Sequence, residues 1–174
     1  MIIAFKTRKP AKLSKQLREG KGPDLTRRRG VVGLSFLAST AMQVVGLFQI
    51  GLIRRIPEPP GFDAETVDAS KEAYGYLSVG DAFLGLGSYA FTAALAAMGP
   101  ANRARTYPWI PIALAAKAAA DTVQAARLTR DQWTTHRAFC FWCIVAAGAT
   151  FAALPLTMPE ARQALDQIRS GDRD

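Results

Sequence analysis

Cys140 and Cys143, in the run Cys140-Phe141-Trp142-Cys143, are the only thiols in the chain. Two cysteines three apart at the start of a helix share one face, and a small-loop disulfide between them needs little backbone rearrangement. The first amides of a helix are free and carry partial positive charge, which stabilises a thiolate. His136 and Arg137 lie just upstream and add to that charge. A stabilised thiolate is the species that attacks, or departs from, a mixed disulfide. The spacing therefore suits a redox pair. Two buried cysteines acting as small hydrophobes remain the plain alternative. A metal site built on His136, Cys140 and Cys143 needs a fourth ligand and has only carboxylates to draw on, so no metal is expected.

These residues sit in a chain whose charge is segregated. Of its 174 residues, the first 29 carry ten Lys/Arg against Glu19 and Asp24, and the remaining chain is neutral. Residues 31–53, 82–102 and 138–159 are runs of 23, 21 and 22 residues without a charge. A helix of that length crosses a bilayer core. Three such runs exclude an ordinary soluble domain and leave no room for a nucleic-acid-binding fold, despite the basic balance. Two cysteines cannot build a disulfide scaffold.

The expected organisation is a basic cytoplasmic arm over 1–29, a four-helix transmembrane domain over 30–159 and a polar tail over 160–174. The arm lacks sustained apolar periodicity, apart from a short amphipathic piece around 13–17. It reads as a flank that orients the first helix, a retained signal anchor, and touches anionic lipid. Helices are expected at about 30–54, 76–99, 106–126 and 138–158, the last interrupted by Pro155 and Pro159. The segment 56–74 reads as an acidic, proline-rich loop with one helical turn near 64–73. The second helix is rich in Gly and Ala, which allows close helix approach in lipid. With the N-terminus cytoplasmic, fifteen Lys/Arg fall inside and six outside. That bias, with an even number of helices, places both termini in the cytoplasm. The fold class is thus all-α, an integral membrane four-helix bundle, with Cys140 and Cys143 at the outer end of its last helix.

Lys117 and Asp121 are charges at membrane depth in the third helix. Such groups face a bundle interior and mark sites. They read either as a polar contact to a quinone carbonyl or proton relay, or as an ion pair between neighbours four apart on one helix face. Trp109, Trp133, Trp142, Tyr74, Tyr76 and Tyr107 fall near expected helix ends and read as interfacial anchors. Trp142, between the thiols, could also line a flat cofactor pocket.

The chain resembles the vitamin K epoxide reductase family, whose members are four-helix membrane oxidoreductases with a CxxC at the outer start of the fourth helix. Cys140-Phe141-Trp142-Cys143 matches that motif in place and order. After the first helix the family has a loop cysteine, then Val, then Ser, leading to an aromatic and a second helix of the Gly-Leu-x-x-Tyr kind. Val67, Ser70, Tyr74 and Gly85-Leu86-Gly87-Ser88-Tyr89 line up with it over roughly 31–158. The departure is the loop cysteine pair of catalytic members. The position three before Val67 is Ala64, and the loop holds no thiol.

The resemblance implies a thiol-disulfide oxidoreductase linked to a quinone, menaquinone or ubiquinone, in the cytoplasmic membrane. It implies that Cys143 faces the quinone, that Cys140 exchanges with a partner disulfide, and that Ser70 lies near the quinone pocket. Tyr89, Lys117, Asp121 and Trp142 complete the expected quinone-binding set. With no loop pair, the electrons must come from a separate thioredoxin-like protein on the outer face. The rival reading is a structural or quinone-binding small subunit of a larger membrane complex that keeps the scaffold without full activity.

Overall fold

The computed structural model describes residues 10–171, so the first nine residues of the expected arm and the last three of the tail lie outside it. Every regular element among the described residues is helical: α1 (Pro10–Glu19), α2 (Pro23–Gln49), α3 (Ala64–Asp68), α4 (Asp81–Ala97), α5 (Arg103–Thr106), α6 (Trp109–Asp131) and α7 (Phe141–Gly171). A 3-10 turn (Glu72–Tyr74) precedes α4, and a π turn (Gln132–His136) joins α6 to α7. Two of the helices, α2 and α7, are long and apolar enough to cross a membrane. α4 is apolar but has 17 residues, and α6 carries charge along its length.

α2 begins seven residues before the expected 30. Pro23 occupies its first turn, where a missing amide hydrogen costs nothing, and Asp24 faces the positive end of the helix dipole. The amphipathic piece expected around 13–17 is α1, and the Arg29 guanidinium ties it to α2 by donating to the carbonyls of Leu17, Arg18 and Gly20.

α7 contradicts the expected interruption at Pro155 and Pro159, because it continues through both prolines to Gly171. A proline removes one backbone donor, which a packed helix tolerates when neighbours and hydroxyls take up the slack. Thr157 Oγ1, between the two prolines, donates to the Leu154 carbonyl at 2.7 Å. α2 and α6 pack along α7. The expected surface helix in the tail is simply the end of α7.

Hydrogen bonds at the helix ends fix the direction of each long helix. The Gln49 side chain at the end of α2 meets Asp81 and the amide of Ala82 at the start of α4. Arg28 near the start of α2 meets the carbonyls at the end of α4. α2 and α4 are therefore antiparallel, and their contact is close: Met42 lies 3.2 Å and Phe83 3.4 Å from where a Cβ would stand on Gly85 and Gly46. Small residues at those positions let the helices approach. The apolar interior has two parts. One, around Met42, Val45, Ile56, Val67 and Ala146, lies at the cysteine end. The other, around Val31, Leu95, Leu114 and Ala153, lies toward the opposite end.

That opposite end is held by two arginines. Arg103 is fully buried and pairs with Glu160 of α7 through Nε at 2.8 Å and Nη2 at 2.6 Å. Its Nη1 donates to the carbonyls of Leu95, Ala96 and Met98. Arg28 donates to five carbonyls between Ala96 and Pro100. The last carbonyls of α4 have no partner within the helix and carry partial negative charge, so two guanidinium groups satisfy them. Gly99, at φ +83, supplies the left-handed turn that brings Arg103 back under the helix end.

Candidate functional site

Cys140 lies immediately before α7, and its placement is set by backbone donors. Its amide donates to Gln132 Oε1 at 3.0 Å, and its Sγ accepts from the amide of Cys143 at 3.2 Å. The sulfur thus occupies the place of an N-terminal cap, satisfying a helix amide that would otherwise have no partner. Gln132 is held for this contact by the π turn, which Arg137 closes in the left-handed region at φ 54. Both cysteines are free thiols.

One turn on, Cys143 meets a carboxylate. Its Sγ donates to Asp68 Oδ1 at 3.4 Å. Asp68 ends α3, the short helix begun by Asp63, whose carboxylate accepts from the Thr66 amide at 3.0 Å and its hydroxyl at 2.6 Å. Those two bonds hold the Asp63 carboxyl below its usual range. Asp68 is in the opposite condition. It is 1 % exposed, and its Oδ2 has no hydrogen-bond partner. Burial pushes its carboxyl up to about 6; the thiol hydrogen bonds oppose that shift, and the neighbouring Asp81 and Glu58 add to it.

The carboxylate of Asp68 and the sulfurs of Cys140 and Cys143 lie within 4.8 Å of one another. His136, considered from the sequence as a companion to the thiols, is not part of this group, and no fourth His, Cys, Asp or Glu joins it among the described residues. Three donors fall short of the four of a structural zinc centre.

Cys143, but not Cys140, opens onto a cavity of about 460 Å³. Met42 of α2, Leu84 and Gly85 of α4 and Ala146 of α7 give it apolar walls. Ser70, Tyr89 and Asp121 supply polar groups to the same space, as does Asp68. The structure thus brings Cys143, Ser70, Tyr89 and Asp121 together around one volume. Tyr89 Oη is 3.2 Å from Thr150 Oγ1 of α7, and Ser70 Oγ accepts from the Ala73 amide at 3.4 Å.

Lys117 stands behind this wall rather than in it. Its Nζ is bonded to Asp121 Oδ2 at 2.5 Å, Ser88 Oγ at 2.7 Å and Thr92 Oγ1 at 3.2 Å. All three ammonium protons are therefore used within the protein. The pair is the same-face ion pair that a four-residue spacing allows, and only Asp121 reaches the cavity.

Trp142 does not line the cavity. Its Nε1 donates to the Pro57 carbonyl at 2.8 Å, and its ring meets Phe141 edge to face. Phe141 in turn packs against Phe62, and the Asp63 amide donates to the Phe139 carbonyl at 2.9 Å. The segment 57–63 is thereby fastened to the residues on either side of Cys140, which is fully buried.

Asp68 is the residue that sequence reasoning passed over. It appeared as one of five acidic residues in a loop, and only its position after Val67, within the stretch that leads to Ser70, set it apart.

No curated protein and no solved structure matches the chain. The model of the vitamin K epoxide reductase family matches residues 30–158, which hold α4 and α6 whole, most of α2, the first part of α7, the α3 loop and both cysteines. With a match over most of its length, and with a membrane-capable all-helical fold around a cysteine pair, the chain belongs to the vitamin K epoxide reductase family.

Proposed function

We propose that this protein is a quinone-linked thiol-disulfide oxidoreductase of the cytoplasmic membrane, working with a separate thioredoxin-like protein on the outer face. The family supports a membrane thiol-disulfide oxidoreductase. The observation that carries the finer reading is the division between the two sulfurs. Cys143 opens onto a largely apolar cavity wide enough for a quinone ring, while Cys140 sits outside it at the start of α7. Ser70 and Tyr89 line the same cavity with hydroxyls, which can donate to ring oxygens.

In this reading α2, α4, α6 and α7 form a transmembrane four-helix bundle with both termini cytoplasmic and the cysteine end outside. Supporting it is the excess of Lys/Arg at the opposite end. A reduced partner attacks the Cys140–Cys143 disulfide, and the electron pair leaves through Cys143 to the quinone.

The test is quinone reduction by purified protein in vesicles of defined orientation, with a reduced thioredoxin-like protein as donor. Quinol is expected only when the donor is on the face carrying the cysteine end. Cys140→Ser is expected to lower the rate at least a hundredfold. A Cys140→Ser variant that reoxidises the donor at the unaltered rate overturns the reading.

The absence of a loop thiol and the burial of Cys140 favour one second reading, a scaffold or quinone-binding subunit of a larger complex. It predicts stable co-purification with other subunits and full function of the complex when both cysteines are replaced by serine.

A further inference from the structure

Asp68 is a buried carboxylate with one oxygen on the Cys143 thiol and the other on nothing. A buried carboxylate oxygen without a partner is costly; Glu58 Oε2 shares that condition, but Asp68 alone of the two also touches a thiol and lines the cavity. Structural convenience does not account for it. α3 is already capped by Asp63, and the backbone of Asp68 is engaged separately, its carbonyl accepting from Gln49 Nε2 at 3.4 Å. The side chain lines the same cavity as Cys143, so it touches both the reacting sulfur and the space where the oxidant of that sulfur would lie.

We propose that Asp68 is the proton acceptor of the Cys143 thiol, and that it passes this proton to the cavity during oxidation of the cysteine pair. The inference rests on the quinone-linked reading for the identity of the final acceptor, but not for the thiol step. The Cys143 S–H bond breaks and its proton moves to the Asp68 carboxylate. The Cys140–Cys143 S–S bond forms as two electrons leave the pair. A quinone in the cavity receives those two electrons and two protons, one from Cys143 through Asp68 and one from the Cys140 thiol. The products are one disulfide and one quinol, and Asp68 returns to its carboxylate form.

The surroundings of Asp68 suit that role. Glu58 from the loop after α2 and Asp81 from the start of α4 face it with like charge, the Cys143 thiol donates to it, and the Cys140 sulfur lies within 4.8 Å. Asp131 and His136, from the end of α6 and the π turn, border the same cavity. Among the described residues no Lys or Arg is paired with the carboxylate to lock it in the charged form. Its titration near pH 6 lets it exist in both forms under ordinary conditions.

The experiment uses full-length protein in detergent, reduced and then oxidised in two ways across pH 5–8. One oxidant is a water-soluble short-chain quinone. The other is hydroxyethyl disulfide, which closes the Cys140–Cys143 bond without any quinone. For the unaltered protein, both closing rates should rise about tenfold as the pH passes through 6. Asp68→Asn should flatten that limb and lower both rates at least tenfold at pH 7.5. Asp68→Glu, which restores a carboxylate, should recover the limb. Quinone affinity, read by ligand-induced shift of the melting temperature, should stay within twofold, which separates proton transfer from a packing role. Should Asp68→Asn close its disulfide at the unaltered rate and with the unaltered pH limb, the proposal is overturned. If hydroxyethyl disulfide gives the expected pattern and the quinone oxidises no variant, the proposal stands and the quinone reading falls.

Discussion

Asp68 carries a second consequence, for stability, whose sign follows from linkage. In the folded chain its carboxyl is raised to about 6 from an ordinary 3.8. Between those pH values the folded state holds a proton that the unfolded state has released. Stability therefore falls as the pH climbs through that window and stays lowered above it. Asp68→Asn removes the ionising group while keeping the shape. It should raise stability at pH 8 by up to about 3 kcal/mol, with the gap closing below pH 4. Melting curves at the two pH values check this. A residue whose replacement strengthens the fold while slowing the chemistry is kept for the chemistry.

At the same scale, the residues differ in how far the sequence announces them. Cys140 and Cys143 are readable because their chemistry is local: spacing, helix start and charge are all written within a few positions. Lys117 and Asp121 are readable as a pair for the same reason, being four apart on one helix. Asp68 is not, because its meaning comes from Cys143, 75 positions away. Nothing in the run Thr66-Val67-Asp68-Ala69-Ser70 marks which acid will be buried. Trp142 misleads in the opposite way. Its place between the thiols suggests the cavity, yet one turn of helix carries its ring to the far side, onto the Pro57 carbonyl.

Among the elements, charge-free runs located the helices but blurred their ends. α2 starts earlier than its uncharged run because the charges of Arg28 and Arg29 are spent on carbonyls of other segments. The persistence of α7 through Pro155 and Pro159 depends on packing against α2 and α6, which local propensity does not contain. The ion pair that anchors α5 to α7 is the most exposed to test. Arg103 and Glu160 are 0 % and 5 % exposed at their side chains, while Arg27 and Asp24 are 35 % and 21 % exposed. Glu160→Gln strands a buried guanidinium and should cost about 3–5 kcal/mol. Asp24→Asn should cost less than about 1 kcal/mol. Thermal unfolding of the two variants in the same detergent gives the comparison, and equal losses would contradict it.

For the molecule as a whole, the two ends have different work. The end near Arg28, Arg103 and Glu160 is closed by one buried ion pair and by guanidinium groups bonded to the last carbonyls of α4, and it holds α4 and α7 in register. The other end keeps two buried carboxylates, Glu58 and Asp68, each with one oxygen unpartnered, two free thiols and a cavity. Rigidity at one pole and reactivity at the other follow from where the chain spends its polar contacts.

The segment fastened on either side of Cys140 by Trp142 Nε1, Phe62 and the Asp63 amide has a kinetic meaning. Under the proposed thiol-exchange function, a donor protein cannot collide productively with a sulfur it cannot reach, so each turnover would begin with this segment lifting on its own schedule. Exchange with the donor should speed up in proportion to donor at low concentration and then reach a ceiling equal to the lifting rate. Trp142→Phe, which deletes one of the fastenings, should raise the ceiling severalfold and leave the quinone side unchanged, as stopped-flow mixing with increasing donor will show. The enzyme would then run at a pace set by its own lid, and a cell supplying more donor would gain nothing beyond it.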